Sequence, residues 1–417
     1  MHILFVTQWF DPEPGAIRGL PLARWLRQRG HELSIVTGFP NYPSGRLYPG
    51  YRMRWRQWES REGVSILRVP LFPSHDQSTV RRILNYLSFA ISAGILGPAL
   101  ISRPDVVYLY HPPATIGLPG LVLKATRRVP FVYHIADMWP ESVVESGMVG
   151  HGRLKEFTSE LLSRWCSAVY GQAAAITVLS PGFKRMLVER GVLSEKIHIV
   201  YNWVEEDVFR PVPRDANLEA ALGFQGRFNV VYAGNLGAFQ GLENVIRAAL
   251  RLRHAPAIQI VLVGTGQREA QLKSLARQLG ADNVVFLDQR SPSEVAKINS
   301  LADVLLVHLK DLPFFASTIP GKTQVALACG RPILMAVRGD AADIVHRAQA
   351  GLTCEPENDE AVAQAILEFY RMNREEREAM GRRGREFYLR EMSLADAGKR
   401  MEALLQQSCA PAARIQR

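Results

Sequence analysis

Short apolar runs alternate with longer amphipathic segments along the N-terminal half of the chain. The runs are rich in β-branched residues and end at Gly, Pro or polar positions, which is typical of buried strands. We predict strands at Ile3–Thr7, Glu32–Thr37, Val64–Val69, Val106–Tyr110, Phe131–Ile135 and Ala174–Leu179. Helical spacing lies between several of them, as over Ile17–Arg29 and Lys155–Gln172. This alternation indicates a parallel sheet with helices on both faces.

The same pattern restarts after residue 226. We predict strands at Phe228–Ala233, Ile258–Val263, Val284–Phe286, Val304–Val307 and Pro332–Met335. We predict helices at Leu242–Arg253, Glu269–Leu279, Ser293–Leu301 and Glu360–Tyr370. The stretch between the two patterns contains Pro211 and Pro213 and is typical of a linker. The chain is therefore expected to be α/β, with two Rossmann-like doubly wound domains that face each other across a cleft.

The predicted boundaries are residues 1–205 for the first domain, 206–226 for the linker and 227–388 for the second domain. Residues 389–417 then hold a C-terminal helix with apolar positions at helical spacing over Ser393–Gln407. This helix either crosses back to the first domain or stays on the second. Ligands of such parallel sheets bind at the carboxyl ends of the strands.

Composition narrows the class of partner only slightly. The 417 residues carry a formal net charge of +10, which favours anionic partners such as nucleotides, phospholipid headgroups or pyrophosphate-linked lipids, or reflects a solvated basic surface. The cysteines Cys166, Cys329, Cys354 and Cys409 form no CxxC pair, which argues against a disulfide framework and a cysteine-rich zinc site. A reducing compartment fits, and we interpret the apolar N-terminus as a first strand instead of a signal segment.

Glycine-bearing loops follow three of the predicted strands and are candidate phosphate sites. They lie around Gly15, at Gly234-Asn235-Leu236-Gly237 with Gln240, and at Gly264-Thr265-Gly266. A strand, a glycine turn and a helix N-terminus together favour an anion, because free N–H groups and the helix dipole point at it. Each loop is also compatible with an ordinary turn, since no dinucleotide or P-loop motif is present.

A lysine in the first turn of a predicted helix is a further candidate. Lys322 follows Pro320-Gly321, and Pro near a helix start is a common N-terminal signal. A cation there opposes the helix dipole, and an anionic ligand would offset that cost. The competing interpretation is a solvated surface lysine.

Ionisable side chains cluster where the strand Phe131–Ile135 ends. His134 lies within the strand, and Asp137 and Glu141 follow it, so we take these three as candidate catalytic residues. The alternatives are a core histidine and an aspartate that caps the next helix.

Two segments suggest contact with a membrane surface. Val80–Leu100 begins with Arg81 and Arg82 and is otherwise largely apolar, which is typical either of a helix lying on a membrane or of a buried core helix. Tyr48–Trp58 mixes aromatic and basic residues.

Seven motifs, taken in order and spacing, resemble family-four retaining GT-B glycosyltransferases over nearly the whole chain. The nearest likeness is to the bacterial branch with fucosamine and fucosyl transferases of O-antigen and colanic acid synthesis. The motifs are Gly30-His31-Glu32-Leu33, Asn41-Tyr42-Pro43, Asp137-Met138-Trp139-Pro140-Glu141-Ser142, Tyr201-Asn202-Trp203-Val204, Ala233–Gly237 with Gln240–Glu243, Asn283–Phe286, and Ile319-Pro320-Gly321-Lys322.

The resemblance implies a retaining transferase with a UDP- or GDP-sugar donor, the sugar being fucose or N-acetylfucosamine, and a lipid-linked glycan acceptor. It implies donor binding by Gly15, Gly234, Asn235 and Lys322 at the cytoplasmic face of the membrane. With no Asp-x-Asp motif in the chain, we expect no metal and no cofactor.

The chain departs from the wider family at several positions. Asn235 and Gln240 stand in place of a basic pair, and Ala136 replaces the His before Asp137. Ser317 and Val325 align with a pair of glutamates, so the ribose contact of the second is lost or replaced. Two other functions remain open on the residues alone: a nucleotide-sugar epimerase of the same architecture, and a non-catalytic basic protein that binds membrane or nucleic acid.

Overall fold

Continuous apolar runs form the central strands, because helices cover both faces of each sheet. The computed structural model describes residues 1–13, 19–75, 78–145 and 153–409. The chain divides into one compact unit of Met1–Val200 with the residues from Ala397 onward, and a second unit of Tyr201–Asp396.

The first unit contains an eight-stranded sheet in the order β3-β4-β2-β1-β5-β6-β7-β8. Only the β3–β4 pairing is antiparallel. Its strands are β1 His2–Thr7, β2 Glu32–Gly38, β3 Gln57–Arg61, β4 Val64–Val69, β5 Val106–His111, β6 Phe131–Ile135, β7 Ala175–Val178 and β8 Ile197–Ile199. Its helices are α1 Leu20–Gln28, α2 Thr79–Leu100, α3 Gly117–Arg127, α4 Glu141–Glu145, α5 Arg153–Gln172 and α6 Pro181–Glu189.

The second unit contains a six-stranded, all-parallel sheet in the order β11-β10-β9-β12-β13-β14. Its strands are β9 Phe228–Ala233, β10 Ile258–Val263, β11 Val284–Leu287, β12 Val304–His308, β13 Ile333–Ala336 and β14 Gly351–Thr353. The helices are α7 Ala216–Ala221, α8 Leu242–Arg251, α9 Glu269–Leu279, α10 Pro292–Leu301, α11 Gly321–Cys329, α12 Asp340–Ala348, α13 Asp359–Arg371, α14 Arg374–Glu391 and α15 Leu394–Cys409, of which α15 continues into the first unit.

The predicted fold class is confirmed, with two Rossmann-like parallel-sheet domains. Every predicted strand is present, with ends that shift by at most one residue. The predicted helix from Ile17 begins at Leu20, and residues 17 and 18 lie outside the described part. Strand β3 was missed because its polar and aromatic residues alternate in exposure at the edge of the sheet.

Both sheets reverse their strand order beside the first strand of the unit. In the second unit, β10 and β12 flank β9, and the chain moves outward from β9 in one direction before it crosses to the other. Such a reversal leaves a crevice at the carboxyl ends of the two central strands, which is where open α/β sheets bind ligands. We therefore expect a ligand site at the loops that follow β9 and β12.

The C-terminal helix α15 packs on α1 through a glycine. A Cβ at Gly398 would lie 2.6 Å from the Trp25 ring. Four residues further along α15, Glu402 accepts hydrogen bonds from Arg29 Nε at 2.6 Å and pairs with His31 Nε2 at 2.8 Å. Gly398 and Glu402 therefore lie on the face of α15 that packs against α1 and the residues that follow it.

We predict that Gly398→Ala lowers the free energy of unfolding by about 1–3 kcal/mol, the usual cost of overpacking. Gly171→Ala in α5 is the control, because a Cβ there meets nothing within 4 Å. Its gain in helix propensity makes it neutral or stabilising by up to about 1 kcal/mol. Denaturant unfolding measures both, and equal effects of the two substitutions would contradict this packing.

Candidate active site

The loop after β9 lies directly against the loop after β10. Gly234 and Gly264 have φ values of +150° and +137°, and a Cβ on Gly264 would lie 2.0 Å from the Gly234 carbonyl oxygen. The Gly234 N–H donates to Val263 O, and the Leu236 N–H donates to Thr265 O, each at 2.9 Å. Only glycine combines this conformation with so close a backbone approach. Gly264 therefore shapes the loop that exposes Gly234.

Lys322 lies beneath that loop, in the first turn of α11. A Cβ on Gly234 would lie 2.7 Å from Lys322 Cε, and Nζ lies 4.9 Å from the centre of the Tyr232 ring. Burial lowers the pKa of the Lys322 ammonium to about 8. Within the described ranges, no carboxylate lies within 4.0 Å of this nitrogen to offset its desolvation. The Lys322 side chain is half-buried, which disfavours the sequence-based alternative of a solvated surface lysine.

The amino end of α11 adds to the positive potential around Lys322. The cap residue Pro320 gives no side-chain hydrogen bond, and the first turn contains no acidic residue. The leading N–H groups of a helix are open donors with a partial positive charge. The ammonium and the helix end together are suited to a diphosphate or another compact anion.

A cavity of about 290 Å³ adjoins Gly234 and Lys322. Its lining is mainly apolar and includes Val325, the position where the resemblance led us to expect a glutamate. Asn299 also lines it, and the buried Asn299 Oδ1 accepts no hydrogen bond from the described part of the chain. We therefore take Asn299 as the candidate for a polar contact with a ligand in this part of the cavity.

The other predicted donor residues divide into an exposed group and a supporting group. Asn235 is exposed, and its backbone carbonyl oxygen accepts a 2.7 Å hydrogen bond from the Tyr232 hydroxyl. Gln240 Oε1 accepts from the Gly237 N–H at 3.1 Å, so its amide oxygen closes the loop. Gly266 allows a further close approach, since a Cβ there would lie 2.5 Å from Leu236 O. The structure thus brings Gly234, Asn235 and Lys322 together and places Gln240, Gly264 and Gly266 behind them.

His308, at the carboxyl end of β12, was missed by sequence reasoning. The Glu357 N–H donates to its Nε2 at 3.4 Å, so Nδ1 bears the proton and donates to Gln240 O at 2.7 Å. Burial lowers the pKa of His308 and keeps the ring neutral. His308 therefore links the loop after β9 to β12. In the sequence, only its position at the end of a predicted strand indicated a role.

Asp137 follows β6 in the first unit and is partly exposed. Burial raises the pKa of its carboxyl, while the Met138 backbone opposes the rise. Asp137 lies in the turn before α4, which begins four residues later at Glu141. Its partial exposure leaves an oxygen acceptor at the carboxyl end of a strand.

His134 and Glu141 have more protected surroundings than Asp137. His134 is fully buried in β6, stacks on Tyr110 at a ring separation of 5.2 Å and hydrogen-bonds Thr177 Oγ1. Glu141 forms an ion pair with Arg190, which also donates to Trp139 O at 2.9 Å. These contacts favour a packing role for His134 and an anchoring role for Glu141.

The first glycine loop contains an unforeseen buried carboxylate. Gly15 itself lies outside the described residues. Glu13 Oε1 accepts from the Asn41 and Tyr42 N–H groups at 2.8 and 2.9 Å, and its Oε2 accepts from the Phe10 N–H at 3.1 Å. Burial nevertheless raises the pKa of Glu13 overall. The carboxylate joins the ends of β1 and β2.

Two family profiles match this chain in succession. The first describes a glycosyl transferase 4-like domain and matches residues 17–203, and the second describes glycosyl transferases group 1 and matches residues 215–387. The "Putative colanic acid biosynthesis glycosyl transferase WcaI" of Escherichia coli is 29% identical over 74% of this chain and 76% of its own length. A GDP-mannose-dependent alpha-mannosyltransferase of Mycolicibacterium smegmatis is 24% identical over 88% of both chains.

A solved structure agrees over the full fold. The Anabaena protein HepE, determined in complex with UDP-glucose, has a TM-score of 0.70 and 16% identity, covering 98% of this chain and 100% of its own. That likeness bears on the fold alone. With the two profiles and the named relatives, it shows that the chain is a GT-B glycosyltransferase built from a glycosyl transferase 4-like domain followed by a group 1 domain.

Proposed function

We propose that this glycosyltransferase moves a sugar, with retention of configuration, from a nucleoside-diphosphate donor to a lipid-linked glycan at the cytoplasmic face of an anionic membrane. One observation carries the donor part: the half-buried Lys322 ammonium lies against Gly234 at a helix N-terminus without a carboxylate partner in the described residues. A donor diphosphate supplies the missing negative charge. The product would extend a bacterial surface polysaccharide such as O-antigen or exopolysaccharide.

The leaving diphosphate develops negative charge as the bond to the sugar breaks. Lys322 and the open N–H groups of α11 are already oriented towards such a charge, and fixed donors of this kind stabilise a transition state without reorganising. We therefore expect transfer without a divalent cation. UDP- and GDP-sugars both remain candidates, and fucose and N-acetylfucosamine are the sugars that the motif resemblance favours.

Asp137 is our candidate for the acceptor side. The departing phosphate can itself take the proton of the attacking hydroxyl, so a retaining transferase needs no strong base. Asp137 would instead orient the hydroxyl and stabilise positive charge at the sugar. His134 and Glu141 remain weaker candidates because a polar atom of each is already held by a protein partner, Thr177 or Arg190.

Helix α2 supports the membrane part of the proposal. In the described part of the chain, it is the one helix long and apolar enough to cross a membrane by length and composition, and 39% of its most apolar window is buried. Large apolar side chains are exposed at helical spacing along its other face: Val80, Ile83, Leu84, Leu87, Ile91 and Ile95. Arg81 stands at its amino end. One face packed on the sheet and one apolar face open to solvent are typical of a helix that lies on a lipid surface.

The basic and aromatic run Tyr48–Trp58, which ends within β3, also has exposed side chains suited to a lipid surface. Arg52, Arg54 and Arg56 are exposed, as are Trp55 and Trp58, and the Arg56 guanidinium lies 4.1 Å from the centre of the Trp55 ring. Tryptophan rings and cations both favour the headgroup region of a bilayer. We therefore assign the run to anionic lipid and not to nucleic acid.

We predict that Lys322→Ala weakens UDP or GDP binding by about one to two decades, the worth of a charge-assisted hydrogen bond. The wild-type affinity should also fall as pH rises through about 8, because the free ammonium then loses the proton that binding requires. Calorimetry between pH 7 and 10, where the phosphates stay ionised, measures both effects.

Lys322→Arg is the matched control, because arginine stays charged over that range. It should bind nucleotide without the fall near pH 8, and EDTA should change neither protein. An unchanged affinity in Lys322→Ala, or the same pH profile in Lys322→Arg, would contradict the assignment.

We predict that Asp137→Asn lowers turnover by about 10²–10⁴-fold, the range for a lost proton acceptor or positioning group. Nucleotide affinity should be nearly intact, since a pure capping role would cost only about 1 kcal/mol of stability. Steady-state transfer assays with a thermal melt separate the two roles. Glu141→Gln and His134→Ala are run in parallel, and loss of turnover in one of them with an active Asp137→Asn would reassign the residue.

We predict that the double variant Leu87→Ser/Ile91→Ser loses at least about 10-fold in affinity for anionic vesicles, at about 1 kcal/mol for each half-exposed side chain. Leu389→Ser is the control, because Leu389 is equally exposed but lies in the second unit. Vesicle sedimentation should also show weaker binding as salt rises. Equal binding by wild type and the double variant, or no preference for anionic over neutral lipid, would refute this contact.

A further inference from the structure

A cavity of about 220 Å³ lies in the second unit at the sheet edge opposite the donor loop. Asp303 and Pro332, which line it, immediately precede β12 and β13, so it adjoins the amino ends of these strands. We call it the arginine cavity, because five arginines line it: Arg214, Arg331, Arg374, Arg377 and Arg382.

Carboxylates balance the charge of these arginines only in part. Two carboxylates belong to the lining: Asp303 lies 3.7 Å from Arg377 Nη2, and Glu378 lies 2.7 Å from Arg374 Nε. Five arginines against two carboxylates leave the lining with a net charge of +3. Arg214 also pairs with Glu219 at 2.8 Å.

Arg331 is half-buried and, among the described residues, has no close carboxylate partner. It donates a hydrogen bond to Ser300 O, and in the described ranges no carboxylate lies within 4.0 Å of its guanidinium. Burial and the neighbouring Arg214 both lower the pKa of Arg331. A guanidinium carries five N–H donors, so Arg331 keeps donors that a bound anion would use.

The backbone around the cavity is closely packed. A Cβ on Gly381 of α14 would lie 2.1 Å from the Gly330 carbonyl oxygen, just beyond the end of α11. This approach holds the first turns of α14, with Arg374 and Arg377, beside Arg331.

We propose that the arginine cavity binds a small phosphorylated anion. Guanidinium groups form paired hydrogen bonds with phosphate oxygens, and several such groups converge here. The volume falls below the roughly 300–1,000 Å³ of pockets for drug-sized ligands, so the occupant is compact. The site is distinct from the donor loop, because Lys322 and Cys329 mark opposite ends of α11, about 10 Å apart at 1.5 Å per residue.

The test is calorimetry of the full chain with inorganic phosphate at constant ionic strength. Arg331→Gln and the exposed Arg382→Gln should each lower phosphate affinity, with a loss of at least about 10-fold in Arg331→Gln. Arg371→Gln is the charge-matched control, since Arg371 is exposed at the end of α13 and does not line the cavity. Because Arg382 is exposed, its substitution tests the site even if Arg331→Gln fails to fold.

Lys322→Ala separates this site from the donor loop and should leave phosphate binding at the cavity intact. Phosphate binding that is lost in Lys322→Ala, or that is equal in wild type, Arg331→Gln and Arg382→Gln, would overturn the proposal.

A second experiment uses vesicles that contain phosphatidic acid and compares their binding with that of free phosphate. Tighter binding to them through Arg331 and Arg382 identifies a lipid headgroup as the source of the phosphate, and tighter binding of free phosphate identifies a soluble ligand.

Discussion

A half-buried ammonium group without a nearby carboxylate in the described part of the chain is the constraint on which the candidate donor site depends. Lys322 is held under the β9 loop, against Tyr232, where burial lowers its pKa to about 8. Burying a cation without a partner is costly, and the fold here adds a helix N-terminus that increases the cost. We propose that an anion in the loop offsets this cost, so that the free protein already has the positive charge that a diphosphate requires.

The surrounding residues keep that loop in one shape. Gly264 and Gly266 let the β10 loop approach the β9 loop closely, and Gln240 closes the turn from within. His308 then joins the turn to the end of β12, the second central strand of the reversed sheet order. Two of these contacts join a side chain to the backbone: Gln240 Oε1 accepts from the Gly237 N–H, and His308 Nδ1 donates to Gln240 O. Gln240 therefore supports the loop itself at a position where the resemblance led us to expect a basic residue.

The sequence predicted the strands well because buried parallel strands are continuous apolar runs bounded by turn residues. It also identified Gly234, Asn235 and Lys322 as candidates, since glycine turns after strands and a cation at a helix start are local signals, and the structure places Gly234 against Lys322. Contacts between distant residues had no such signal: Glu13 with Asn41 and Tyr42, His308 with Gln240, and the arginines of the cavity, which span Arg214 to Arg382. His134 is the opposite case. Its position in the sequence is near a strand end, where catalytic residues are expected, but its side chain faces Thr177 in the core. Side-chain direction within a strand depends on which face the neighbouring strands cover, and the apolar run around His134 did not reveal it.

A crystal structure of the protein with a nucleoside diphosphate shows directly whether Lys322 holds the donor. We expect the diphosphate to lie against the Gly234 and Asn235 backbone, with a phosphate oxygen about 2.7–2.9 Å from Lys322 Nζ, the length of a charge-assisted hydrogen bond. We also expect the β9 and β10 loops to keep their close backbone contact. A diphosphate bound away from α11, with Lys322 still buried against Tyr232 and contacting no phosphate, would contradict this expectation.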